Sequence, residues 1–161
     1  WRTKAIERIN ASNTTIVVIS SNWYAASYGN KSWATALAET VRAFTSAGKR
    51  VVILSNTPVW KINPSTCAAS HTTSLQQCSK PVAEVTNLDR NSTESNVAAA
   101  YGATFVNVNK WLCTTSCPIV SGSTLMYMDP YHISSTMSKE LSVPLEYVIR
   151  AALEAPAPKQ R

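Results

Sequence analysis

Two unbroken runs of mostly β-branched residues, Thr14-Thr15-Ile16-Val17-Val18-Ile19-Ser20 and Arg50-Val51-Val52-Ile53-Leu54-Ser55, constrain the fold more than any other feature of this chain. Neither run alternates polar with apolar residues, so neither offers a wet face. Strands buried on both faces belong to parallel sheets covered by helices. Between the runs, Trp33, Leu37, Val41 and Phe44 recur at steps of three and four residues from Lys31 to Ala47, and Gly48 stands where a left-handed C-terminal cap belongs. Strand, helix and strand in that order predict a right-handed parallel crossover.

The alternation extends in both directions. Trp1, Ala5 and Ile9 at helical spacing predict a short helix over residues 1–11. Ser92 to Tyr101 reads as a helix closed by Gly102, with Ala103 to Val108 as a third strand. The stretch from Val59 to Arg90 shows no period and is flanked or crossed by Pro58, Pro64 and Pro81, which predicts a long excursion of the kind that is functional or mobile. Ser121-Gly122-Ser123 separates two short apolar pieces, a hairpin ending at Met128. A last helix from Ser135 to Glu154 would turn Met137, Leu141, Leu145, Val148, Ile149 and Ala152 inward, with a kink at Pro144. The expectation is an α/β fold, a three-layer α/β/α sandwich on a mostly parallel sheet, as one domain over residues 1–154 with a flexible tail over 155–161.

The formal charge of +6 comes from basic residues scattered in ones and twos, with no run dense enough to follow a phosphate backbone. A nucleic-acid partner is not expected, whereas loose attraction to an anionic wall polymer or membrane surface is compatible with this charge. The 4 cysteines form two local couples, Cys67 with Cys78 and Cys113 with Cys117. Two short-range disulfides are the simplest reading and imply an oxidising compartment; one tetrahedral zinc is the competing reading, although neither couple has the spacing of a zinc knuckle. No apolar run approaches the roughly 20 residues that span a bilayer, so a soluble chain is expected. Trp1 in place of an initiator Met suggests that something upstream has been removed. Four Asn-x-Ser/Thr sequons, at Asn10, Asn13, Asn30 and Asn91, would carry surface glycans in a eukaryotic secreted protein, and arise readily by chance in a chain this rich in Asn, Ser and Thr.

Ligands gather at the carboxyl ends of parallel strands, so the candidates for chemistry are Ser20-Ser21-Asn22-Trp23, Ser55-Asn56-Thr57, Asn107-Val108-Asn109 and Asp129-Pro130-Tyr131-His132. Only the last holds a base that titrates near neutrality. Of the two histidines, His71 lies in the excursion with no acid near it in sequence and reads as a surface residue. His132 follows Asp129 by three residues, a spacing that lets the carboxylate fold back on the imidazole, fix its tautomer and stabilise the imidazolium formed when it takes a serine proton. The bland alternative is that Asp129 and Ser134 cap the last helix and His132 faces water.

The block Tyr127-Met128-Asp129-Pro130-Tyr131-His132-Ile133-Ser134, running straight into the last helix, resembles the final sequence block of the SGNH (GDSL-like) esterase and acyltransferase superfamily. With Ser21-Asn22-Trp23 after the first strand and the paired cysteines, the chain is most similar to extracytoplasmic SGNH domains fused to acyltransferase-3 membrane proteins, which O-acylate surface or wall polysaccharides. The resemblance implies an SGNH hydrolase-like, flavodoxin-like sandwich and a Ser-His-Asp enzyme. In it His132 is the general base, Asp129 orients it, and a serine carries the acyl group. It implies no cofactor and no metal, an acyl donor supplied by a membrane acyltransferase domain, a carbohydrate acceptor, a monomer and an extracytoplasmic location attached to a membrane domain.

The chain departs from the family at the nucleophile. No glycine is followed by Asp-Ser, and no strand precedes Ile16 to carry such a turn. The expectation is the larger, C-terminal part of an SGNH domain lacking its first strand. The rivals are a degenerate glycan-binding module and a takeover by Ser20 or Ser21. Asn22 stands near the place of the family's oxyanion-hole Asn, though an Asn capping its own turn fits equally well. Trp23, Tyr24, Tyr28 and Trp33 are candidates for stacking on sugar rings or for the core. The expected activity is O-acyl transfer, with acetyl the first candidate; a carbohydrate esterase and a non-catalytic glycan-binding module are the alternatives.

Overall fold

The computed structural model describes residues 1–20 and 30–156. In chain order, α1 (Arg2–Asn10), β1 (Ile16–Ser20), α2 (Asn30–Thr45) and β2 (Arg50–Leu54) come first. Then follow α3 (Pro64–Ser70), a 3₁₀ turn (Leu75–Cys78), β3 (Lys80–Pro81), α4 (Val82–Val85), α5 (Leu88–Tyr101) and β4 (Thr104–Val106). The last elements are α6 (Asn109–Leu112), β5 (Ser116–Cys117), β6 (Val120–Ser121), β7 (Thr124–Leu125), α7 (Ser135–Glu140) and α8 (Ser142–Glu154). They form two compact units, one of Trp1–Ser55, Asp89–Val106 and Tyr147–Arg161, the other of Asn56–Leu88 and Asn107–Glu146.

The first unit holds a parallel sheet in the order β1-β2-β4, with Val17 beside Val51 and Ile53 beside Phe105. Its core gathers Val17, Ile19, Val51, Ile53 and Phe105 from alternate sheet positions with Leu37, Val41 and Phe44 of α2, Ile6 and Ile9 of α1 and Val97 and Ala98 of α5. Val52, on the opposite sheet face, is fully buried as well, but Val18 beside it in β1 is 42% exposed, so of the two runs only β2 is buried on both faces among the described residues. Gly48 takes φ +75°, and the Lys49 N–H reaches back to the Phe44 carbonyl at 3.0 Å, so the helix ends in a left-handed turn at the expected glycine. Among the described residues β1 is paired on one side only. The fold is α/β on a parallel sheet.

Several boundaries differ from the sequence reading. Trp1 is fully exposed, and Ile6 with Ile9 forms the inward stripe of α1 instead. Helix α5 starts at Leu88 rather than Ser92, with Asp89 in its first turn, where a carboxylate complements the helix dipole. The third strand stops at Val106 because the Asn107 side chain accepts the Asn109 N–H at 3.1 Å, a local turn that competes with strand pairing. The last helix is two helices broken at Leu141, and Pro144 falls in the first turn of α8, where its missing N–H has no intrahelical partner to lose.

The second unit turns the unpatterned excursion into short elements stapled to a core of Trp60, Cys78, Val85, Leu112, Cys117, Ile119, Met126, Tyr127 and Met137. Cys67 is bonded to Cys78 and Cys113 to Cys117. The Asn63 side chain accepts the Ser65 N–H at 3.0 Å and Pro64 opens α3, the usual N-terminal pairing of cap and proline. The β6–β7 hairpin turns at Gly122, as expected, with φ +57°.

Candidate active site

The Asp129 to His132 block is a turn clamped at its base. Met126 to Met128 runs antiparallel to His132 to Ser134: the Met128 N–H donates to the His132 carbonyl at 2.9 Å and the Ser134 N–H to the Met126 carbonyl at 2.8 Å, with Tyr127 bridging Ile133 between them. Met126 and Tyr127 are buried and fix the base of the turn in the core. Trp60 holds it from outside, its backbone N–H donating to the Pro130 carbonyl at 2.9 Å while its ring meets Tyr127 edge-on at 5.0 Å. No periodicity marks Trp60 in sequence; it lies among prolines in the unpatterned stretch, and only packing reveals its role.

Within the turn, Asp129 Oδ1 accepts the Tyr131 N–H at 2.7 Å and the His132 N–H at 2.9 Å, and Oδ2 lies 2.8 Å from His132 Nδ1. The Tyr131 N–H, followed by the His132 ring, holds the Asp129 carboxyl below its ordinary range, since both favour the charged form. An ionised carboxylate at Nδ1 selects the tautomer protonated there, which leaves Nε2 as the acceptor. The His132 side chain is 64% exposed and that of Asp129 32%, so the pair sits at the surface with the imidazole open to a reactant.

The bland alternative for this block is only half present. Ser134 is the N-cap of α7, its hydroxyl accepting the Met137 N–H at 3.2 Å, but the Asp129 carboxylate is spent on its own turn and on His132. Asn107 and Asn109 form the turn that ends β4, and Ser55 extends the sheet by donating its N–H to the Val106 carbonyl. Asn22 lies outside the described residues, as do Ser21, Trp23, Tyr24 and Tyr28. Trp33 belongs to the core, half-buried with the Arg90 guanidinium 4.3 Å over its ring.

His71 is more than a surface residue. It is half-buried, with Nδ1 3.0 Å from the Cys67 carbonyl and 3.7 and 3.8 Å from the Cys67 and Cys78 sulfurs. Cys67, His71 and Cys78 bring three ligand-type atoms within 4.8 Å of one another, yet the two sulfurs are bonded together, so neither is a thiolate for a metal. Of the sequons, Asn91 is buried and Asn10 donates its amide to the Ala43 carbonyl at 3.1 Å, which leaves both poor acceptors for a glycan. No described helix is long and apolar enough to cross a membrane.

A family model described as "SGNH domain (fused to AT3 domains)" matches residues 1–146. Comparison with curated proteins finds no significant match. Among solved structures, the periplasmic domain of a lipopolysaccharide acetyltransferase from Salmonella ser. Paratyphi A superposes with a TM-score of 0.69 at 18% identity, over 91% of this chain and 61% of that one. At that identity the likeness is one of fold, and this chain spans under two thirds of the solved domain.

Proposed function

Because this chain belongs to the family of SGNH domains fused to AT3 domains, we propose that it is the extracytoplasmic part of an O-acyltransferase. It passes an acyl group, acetyl first among the candidates, from a membrane acyltransferase domain to a hydroxyl of a surface or wall polysaccharide. The observation that carries the reading is the 2.8 Å contact between Asp129 Oδ2 and His132 Nδ1 at the top of a clamped turn. Nε2 of His132 takes the proton of a serine hydroxyl as that oxygen attacks the acyl carbonyl; Asp129 stabilises the resulting imidazolium, and the proton then passes to the leaving group. In the second half-reaction the same nitrogen deprotonates the sugar hydroxyl, which attacks the acyl-serine and releases the serine.

The acyl-carrying serine comes from a segment outside these residues, since no Gly-Asp-Ser occurs among them. The edge of β1 that is unpaired among the described residues supports a further strand there. The two disulfides support an oxidising, extracytoplasmic compartment. An esterase using water as acceptor is the second reading, favoured by the exposure of His132.

A fluorophosphonate probe on the protein joined to its membrane domain tests this. It is expected to label one serine outside the 161 residues, and His132→Ala is expected to abolish both labelling and p-nitrophenyl acetate turnover. A labelled serine within the chain would overturn the location of the nucleophile. Absence of labelling and of His132-dependent turnover would leave a glycan-binding module.

A further inference from the structure

A cavity of about 160 Å³ lies in the second unit, apart from the Asp129–His132 pair in its chemistry. Trp60, Pro64, Val85 and the Cys67–Cys78 disulfide line it, and Lys61, Lys80 and Glu84 stand among the same lining residues. An apolar cavity of roughly 150 Å³ is large enough for a benzene-sized molecule and too apolar to hold water well. Its lining also contains what a purely structural void does not need. Among the described residues neither lysine makes an ion pair, and the two lysines against Glu84 leave a net positive charge. Trp60 itself is buried beside the cavity, so its indole N–H resonance reports on what the cavity holds.

We propose that this cavity binds a compact monocarboxylate, an apolar body of about six to eight carbons carrying one anionic end. The body displaces nothing better than poorly held solvent, and the lysines attract the carboxylate. A sugar ring does not fit the same features, because it needs an open aromatic face and Trp60 is only 5% exposed. The inference stands independently of the acyl-transfer reading.

Benzoate, titrated into the intact chain while the Trp60 indole N–H resonance is followed by NMR, is the probe. A saturable shift of that resonance is expected, with affinity reduced tenfold or more in Lys61→Ala/Lys80→Ala. Benzyl alcohol, of the same shape without the charge, is expected to bind at least tenfold more weakly than benzoate and to be indifferent to the lysine substitutions. No saturable shift up to roughly 10 mM benzoate, well above a millimolar dissociation constant, would overturn the site. Equal affinity for benzyl alcohol, or lysine variants that bind benzoate undiminished, would overturn the carboxylate assignment.

Discussion

One carboxylate holds His132 twice: Asp129 Oδ1 accepts the backbone N–H at 2.9 Å, and Oδ2 lies 2.8 Å from the ring nitrogen Nδ1. The backbone bond fixes where the histidine leaves the chain, and the side-chain bond fixes which way its ring faces. A residue three positions earlier can do both only in a tight turn, and Pro130 between them, with its fixed φ, favours that turn.

Acid should release the turn below the ordinary carboxylate range. The folded Asp129 carboxyl is depressed, first by the Tyr131 N–H and then by His132, so its contribution is fully present above the unfolded value of about 3.9 and is lost as pH falls through the lower folded value. The amide proton shifts of Tyr131 and His132 should therefore titrate together with a midpoint below about 3.9, and in Asp129→Asn the step should vanish. A midpoint at or above the ordinary value would mean that the two N–H bonds do not form in solution.

In the protein that carries the nucleophile, Asp129→Asn should lower acyl turnover by a factor on the order of 10³ to 10⁴, because the amide can donate to Nδ1 and select the wrong tautomer. On the proposed mechanism KM should hardly move, as Asp129 contacts His132 and not the acceptor. Steady-state kinetics on an aryl acetate separates the two effects. A variant that keeps kcat and loses KM would place Asp129 in binding rather than in catalysis.

The disulfides should differ in weight. Cys67–Cys78 closes a separation of 11 residues and Cys113–Cys117 one of 4. On chain entropy, removing them as Ala pairs costs about 3 and about 2 kcal/mol respectively. Thermal unfolding of Cys67→Ala/Cys78→Ala and of Cys113→Ala/Cys117→Ala compares them, and the reverse order would show that the longer staple strains the native fold.

How much was legible in the sequence follows from how local each cause is. The β-branched runs, the Trp33–Phe44 stripe and Gly48 act within a few residues, and β1, α2, β2 and their cap follow them. The i,i+3 pairing of Asp129 with His132 is equally local, and its geometry was open to inference for the same reason. What escaped depends on distant partners or on competition. Trp60 reaches Pro130 across 70 positions of sequence, Asn107 draws the chain out of the sheet with its own side chain, and Leu141 breaks a helix that Pro144 was expected to kink. The absence of a period over residues 59–90 reflected elements too short to show one, not a lack of structure.

Tyr127 offers the sharpest test of the core beneath the turn. Its side chain is fully buried, its hydroxyl has no partner among the described residues, and burial pushes its phenol far above the ordinary range. A desolvated hydroxyl without a bond costs about 1–3 kcal/mol, while the ring itself packs edge-on against Trp60 and is preserved in phenylalanine. Tyr127→Phe should therefore raise the free energy of unfolding in urea by about 1 kcal/mol and leave the His132 amide shift where it was. A loss of stability instead would reveal a buried water bound to that hydroxyl, making the tyrosine a polar anchor for the turn rather than an apolar one.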